Sequence, residues 1–247
     1  MFVQKGGHNS GKKYLQTLCN GNRFSTIIRV KTPYERSMDM PANITVRSYT
    51  PDDFDKLMTI QREAFPPPFP EALWWNKEQI TAHAATFREG AMYAEADGEP
   101  AGSATSLLVH FDGEAHTWEE VADNGYIRRS HRPDGDTLYG IDLCVRPKFR
   151  GRGIAHALYD ARKQLVIDLR LKRYVAGCRI PNFHKHAGQM SVETYVDKVV
   201  DGEINDLVLS FMLRQGLVVK QIMPHYLDDD ESLDYAVIVE WKNPRLA

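Results

Sequence analysis

Between residues 138 and 169 the chain runs from an apolar strand through a proline and a basic glycine turn into an amphipathic helix. The succession reads either as an ordinary strand–turn–helix unit or as an anion-binding one. Leu138 to Val145 reads as a strand, and Pro147 stops it. The turn carries Lys148, Arg150, Gly151, Arg152 and Gly153. The helix that follows places Ala155, Leu158, Ala161, Leu165 and Leu169 along one apolar side. A cationic glycine turn feeding a helix start makes a cradle for a pyrophosphate. Its backbone N–H groups and the positive end of the helix dipole point at the anion, and glycine lets the backbone come close.

The 247 residues are 43% hydrophobic and 26% charged, enough for one large domain with a sizeable core. A formal net charge of -2 argues against nucleic acid or an anionic membrane as the main partner. The positive charge that matters is local, at residues 146 to 152. Cys19, Cys144 and Cys178 are far apart and lack Cys-x-x-Cys spacing, a pattern that fits a reducing compartment. No apolar run reaches the ~18 residues of a membrane helix, and the N-terminus has no secretory apolar stretch. These features predict a cytoplasmic protein.

Residues 1–42 read as an appended arm or tail, and residues 43–247 as the domain. Gly6-x-x-x-x-Gly11-Lys12-Lys13 nearly spells a phosphate-binding loop, but position 13 is Lys where Ser or Thr must hold magnesium. The domain opens with a strand at Asn43 to Arg47. Thr50-Pro51-Asp52-Asp53 then starts a helix that runs to Ala64, where Phe65 to Pro70 forms a stiff proline loop. A second helix begins at Asn76 and is closed by Gly90. Ala91 to Ala96 and Gly102 to Phe111 are strands joined by a tight turn at Asp97-Gly98. Residues 112–136 form a long polar insert, with a short helix opened by Thr117 and Glu120. Beyond the signature helix come a strand (174–178), an irregular stretch with His184 and His186, helices at 191–200 and 206–215, and a final strand pair. The expected class is α/β, with helices around one mixed sheet.

The motif Arg150-x-x-Gly153-x-Ala155, in this setting, resembles the acetyl-coenzyme A loop of the GNAT superfamily of N-acetyltransferases, whose pattern is Gln/Arg-x-x-Gly-x-Gly/Ala. The element order from residue 43 to 243 matches that family as well. Arg179-Ile-Pro-Asn-Phe-His-Lys-His186, Tyr195 to Val200 and Pro224-x-Tyr226 are similar to the acetyltransferase module fused to nitrilase-like amidohydrolases in some bacterial proteins. The chain is too short to hold such a hydrolase, so the module is expected to stand alone.

The resemblance implies a GNAT-like mixed central sheet flanked by helices and acetyl-coenzyme A as acyl donor. Its pyrophosphate would lie on Arg150, Gly151, Arg152, Gly153, Ile154 and Ala155. The pantetheine arm would pair with the strand end at Leu143, Cys144 and Val145, whose N–H groups would also polarise the thioester carbonyl. Asp142, an acid in an otherwise apolar strand, is the candidate general base. A structural or substrate-orienting acid and a water-relayed scheme are the alternatives. Tyr139 stands where many family members carry a glutamate base. Four residues before Gly216, where the family places a tyrosine acid, this chain has Met212. Tyr226, Tyr195 or His184 could substitute, or the thiolate could leave unaided.

The acceptor would sit against Phe65 to Pro70, Trp74, Trp75 and the insert, where Glu119, Glu120, Asp123 and Asp134 read either as a solvated acidic face or as groups that draw a cationic amine. A small-molecule amine is the expected substrate. A non-catalytic acyl-coenzyme A-binding regulatory module and a protein-directed acetyltransferase are the alternatives. No metal site is expected, since His184 and His186 have poor ligand spacing. A homodimer is admissible.

Overall fold

The computed structural model describes residues 43–66, 71 and 74–246. The arm at 1–42, with its glycine-lysine motif and Cys19, and most of the proline loop therefore lie outside the described residues. Seven strands form one sheet in the order β1-β2-β3-β4-β5-β7-β6. They are β1 (Ile44–Ser48), β2 (Ala91–Ala96), β3 (Glu99–Val109), β4 (Thr137–Val145), β5 (Arg173–Arg179), β6 (Val218–Met223) and β7 (Ala236–Lys242). Every pairing among the described residues is antiparallel except β4 with β5. That parallel pair is joined by a crossover through α4 (Ile154–Asp168). The α/β class and the mixed sheet flanked by helices are as expected.

The local start signals act as read. Thr50 and Asp53 form a capping box ahead of α1 (Phe54–Ala64), Asn76 and Gln79 one at α2 (Lys77–Thr86), and Thr117 and Glu120 one at α3 (Trp118–Ala122). Ser191 caps α5 (Val192–Val200), and Gly216, at φ +80°, follows α6 (Leu209–Arg214).

Alternation along β2 separates the two faces. Met92 and Ala94 pack with Ile154, Ala157, Leu158 and Ala161 of α4, while Ala91 and Tyr93 join the larger core that holds Leu57 and Ile60 of α1. Two positions on α4 depart from the apolar pattern. Leu169 is its exposed C-cap, and Arg162 is fully buried among the core residues. A charge this deep requires several partners, and they come from β3, β4 and β5 as described below.

Candidate active site

β4 and β5 pair only from Thr137↔Arg173 to Gly140↔Ala176. Beyond Gly140 the two strands part, whereas β3 stays paired to β4 as far as Gly102↔Val145. The edge of β4 from Ile141 to Val145 that faces β5 has no strand partner among the described residues. An extended amide chain can add itself there as a strand would. The parting coincides with a bulge. Thr105 pairs with Asp142 and Ser106 with Gly140, so Ile141 is the extra residue. Arg162 closes the bulge from the α4 side. Its guanidinium donates to Ser106 Oγ at 3.0 Å, Tyr174 Oη at 3.0 Å and Thr105 O at 2.8 Å, and also to Asp142 O.

The free edge runs into the glycine turn. Pro147–Phe149 makes one short turn of helix, and Gly151 and Gly153 then take φ of +74° and +90°. That region is open to glycine and strained for other residues. Neither glycine N–H has a partner among the described residues, and the first N–H groups of α4 have none within the helix. The basic cluster proves more neutral than its composition implies. Arg146 is buried and forks onto Glu63, Lys148 pairs with Glu99, and Arg152 with Asp97. The Arg150 side chain is exposed and has no partner among the described residues. The cradle therefore offers an anion backbone N–H groups, a helix start and one uncommitted guanidinium. Ile154 is buried and Ala155 half-buried beneath it.

Of the strand-end residues, Leu143 and Val145 pack toward α4, while Cys144 is buried with Sγ 3.3 Å from Ser103 Oγ. Burial pushes the Cys144 thiol up to about 12, so it is an inert packed thiol at neutral pH.

Asp142 is half-buried on the other face of the bulge. Its Oδ1 accepts from Thr105 N at 2.5 Å and its Oδ2 from Trp75 Nε1 at 3.2 Å. Burial raises its pKa; the Arg162 charge and these hydrogen bonds oppose the rise. Trp75 is buried and stacks on Trp118, ring centres 5.9 Å apart. Behind Thr105 lies a second row of bonds. Thr105 Oγ1 is 2.9 Å from Tyr49 Oη, which is 2.8 Å from His83 Nδ1, and His83 Nε2 is 2.6 Å from Gly125 O. The carbonyl only accepts, so neutral His83 donates from Nε2 and accepts from Tyr49 at Nδ1. Burial holds His83 neutral, with its pKa lowered to about 4.

Tyr139 is buried, with its hydroxyl 3.0 Å from Tyr226 Oη and 2.9 Å from His116 Nε2. The Tyr226 ring lies against Gly177 of β5, one residue past the last β4–β5 pair. The other acid candidates lie elsewhere. Met212 is a core residue of α6, Tyr195 donates to Asp206 Oδ2 at 2.8 Å, and His184 Nδ1 is held by Pro181 O and Glu231 O. Sequence reasoning missed His116 and Arg162. Each is a single polar residue whose role depends on strands distant in sequence.

The insert reaches the site through α3. Trp118 N donates to Tyr226 O at 2.7 Å and Trp118 Nε1 to Ile141 O at 2.9 Å, tying the β6–β7 turn to β4. Glu119 lies between two open surface depressions, one with Glu120, Asp123 and Arg129, the other with His225, Asp228 and Asp234. Asp123 is bound to Arg129 and Asp134 lies near His110. Glu119 and Asp228 carry no ion pair among the described residues. Trp74 is half-buried beside Arg62.

A mixed sheet whose central parallel strands part beside a glycine cradle is the architecture of one family of acetyltransferases. The acetyltransferase (GNAT) family model matches residues 54–187. YkwB of Bacillus subtilis (strain 168), an uncharacterized N-acetyltransferase, is 44% identical over 202 residues, 81% of this chain and 89% of that protein. The probable hydrolase YhcX of the same organism is 41% identical over 215 residues, 86% of this chain but 40% of its own length. This chain thus spans less than half of that second relative. Two solved structures share the fold. The loading GNATL domain of CurA from Lyngbya majuscula has TM-score 0.68 at 16% identity, covering 82% of this chain and 98% of that one. The GphF GNAT-like decarboxylase in complex with isobutyryl-CoA has TM-score 0.62 at 19% identity, covering 80% and 98%. The chain belongs to the acetyltransferase (GNAT) family.

Proposed function

We propose that this protein transfers an acetyl group from acetyl-coenzyme A to the amine of a small molecule. The observation that carries the reading is the free edge of β4 leading straight into the cradle at Arg150–Ala155. A donor made of a pyrophosphate, an amide-bearing arm and a thioester fits that path in that order. The thioester supplies the activated acyl group, and the chain's own residues orient it. The pyrophosphate would rest on the N–H groups of Gly151, Gly153, Ile154 and Ala155, with Arg150 alongside. The arm would pair with Leu143, Cys144 and Val145, bringing a backbone N–H to the thioester oxygen, where charge builds up during attack.

Asp142 is the proposed acceptor of the amine's proton. Its carboxyl is raised by burial, as a base working near neutral pH requires, and it lies at the point where β4 leaves β5. Tyr139 lies in the last paired stretch of β4, three residues before Asp142. Glu119 and Asp228, which carry no ion pair among the described residues, line one surface depression and favour a cationic amine. The buried thiols of Cys144 and Cys178 suit a reducing cytoplasm.

The experiment is thiol release from acetyl-coenzyme A by the purified protein over a panel of free amines. Turnover on one or more supports the reading. Tight binding without turnover would make the protein a sensor of acyl-coenzyme A. A second reading is favoured by the relation to the longer hydrolase relative: acetylation of a protein partner. Turnover restricted to peptides would select it.

A further inference from the structure

A row of hydrogen bonds leads away from the parting of β4 and β5, and its direction can be read from its far end. His116 Nδ1 lies 2.9 Å from Glu114 O. A carbonyl only accepts, so Nδ1 carries the proton, and in neutral imidazole Nε2 is an acceptor. Tyr139 then donates to Nε2, and Tyr226 donates to Tyr139. When Nε2 takes up a proton, the row turns round. Nε2 donates to Tyr139, Tyr139 donates to Tyr226, and the Tyr226 proton leaves the row at the end that lies against Gly177.

We propose that His116, acting through Tyr139 and Tyr226, delivers the proton taken up by the departing thiolate. The inference rests on the N-acyltransferase reading above. As the C–S bond breaks, its electron pair stays on sulfur, which takes the Tyr226 proton to become a thiol. Tyr139 passes its proton to Tyr226, and His116 Nε2 passes its own to Tyr139, leaving a neutral imidazole. The amine's proton leaves by Asp142. His116 is half-buried and regains its proton from solvent.

The row supplies what α6 lacks, since Met212 has no proton to give. Among the candidate donors, Tyr226 is the one placed at the parting of the strands. The groups facing His116 are few. Its ring meets those of Phe111, Tyr139 and Tyr226. Glu119 of α3 acts electrostatically on Tyr226, and Arg173 of β5 stands over the Phe111 ring.

His116→Gln is the chosen test, because a glutamine oxygen can still accept from Tyr139 but cannot hold a proton. The assay uses acetyl-coenzyme A with an amine that the unaltered protein turns over. The expected result is a fall in kcat of about 10²-fold, the low end for a positioned proton-transfer group. KM for acetyl-coenzyme A should stay unchanged. The alkaline limb of the kcat profile should vanish. Tyr226→Phe should slow the reaction similarly, and the double variant should be no slower than the slower single one. Without any substrate, the imidazole nitrogen NMR signals of His116 at alkaline pH should show protonated Nδ1 and bare Nε2, altered by Tyr139→Phe.

Persistence of kcat and of the alkaline limb in His116→Gln overturns the proposal, as does an Nε2-protonated tautomer. If Tyr226→Phe fails to fold, His116→Gln and the NMR measurement still decide. Acetyl-coenzyme A binding without turnover of any amine or peptide by the unaltered protein removes the transferase reading itself. That result is distinct from turnover that survives in His116→Gln.

Discussion

The hydroxyl end of Tyr226 occupies the space where a side chain at Gly177 would stand. Gly177 follows Ala176, the last residue of β5 to pair with β4, so the phenol is seated where the sheet opens. On the opposite face, a side chain at Gly140 would meet the Tyr174 hydroxyl that Arg162 holds. Two glycines on neighbouring strands thus admit two phenols to one opening from its two sides.

Gly177→Ala is expected to drive the Tyr226 ring out of place. Overpacking of this kind costs about 1–3 kcal/mol, which a urea unfolding curve would register. Turnover should fall with it. Cutting Tyr226 to alanine in the same chain should recover stability relative to Tyr226→Ala plus the clash. A fully additive double variant would show that the two residues do not compete for space.

Gly153→Val should weaken acetyl-coenzyme A binding by at least about tenfold, since a side chain at this helix start blocks the close backbone approach of the phosphates. Its φ of +90° adds backbone strain, so a matched control is needed. Gly202→Ala supplies one, with φ +78° in open space at the end of α5. Calorimetry should find affinity lost in the first and kept in the second. Equal affinities would move the pyrophosphate elsewhere.

Asp142→Asn tests the proposed base. The base must be ionised, and burial raises its pKa, so activity should be lost as pH falls through that raised value. Removing basicity should lower kcat by about 10²–10⁴-fold and abolish or move the acidic limb, with little change in cofactor affinity. An unchanged kcat and limb would place the base elsewhere. Loss of affinity along with rate would make Asp142 a support for the strand end, consistent with its bonds to Thr105 and Trp75.

His83 should set part of the acid sensitivity of folding. Its folded pKa of about 4 lies below the ordinary histidine value of 6.5. The unfolded chain therefore binds the extra proton first, and stability is lost as pH falls from about 6.5 toward about 4. The expected loss is about 3 kcal/mol, which urea midpoints across that range would measure. In His83→Gln the slope should flatten. A slope unaltered by the substitution would assign the acid sensitivity to other groups.

What could be read in advance was local. The caps at Thr50, Asn76 and Thr117, the alternation of β2, and the proline and glycines around the cradle act over a few residues, so they lie open in the sequence. Asp142 was visible because a lone acid in an apolar strand is conspicuous. Its partners were not visible, because Thr105 and Trp75 are 37 and 67 residues away. Arg162 falls at a helical spacing that charge alone assigns to solvent, and only the bulge at Ile141 explains its burial. The paired state of Arg146, Lys148 and Arg152 was equally hidden, since Glu63, Glu99 and Asp97 come from other elements. Asp123, expected to draw the amine, is committed to Arg129 for the same reason.

That internal pairing bears on how the cradle behaves as ionic strength changes. A site that attracts by bare charge loses its ligand steeply as salt accumulates around it. Here three cations are already balanced by carboxylates of the same chain. The remaining grip on an anion would come from N–H groups fixed in direction, with the Arg150 guanidinium alongside. If the cradle holds the proposed pyrophosphate, it would discriminate by shape and by the spacing of phosphate oxygens, and a crowd of other polyanions in a cell would compete with it poorly.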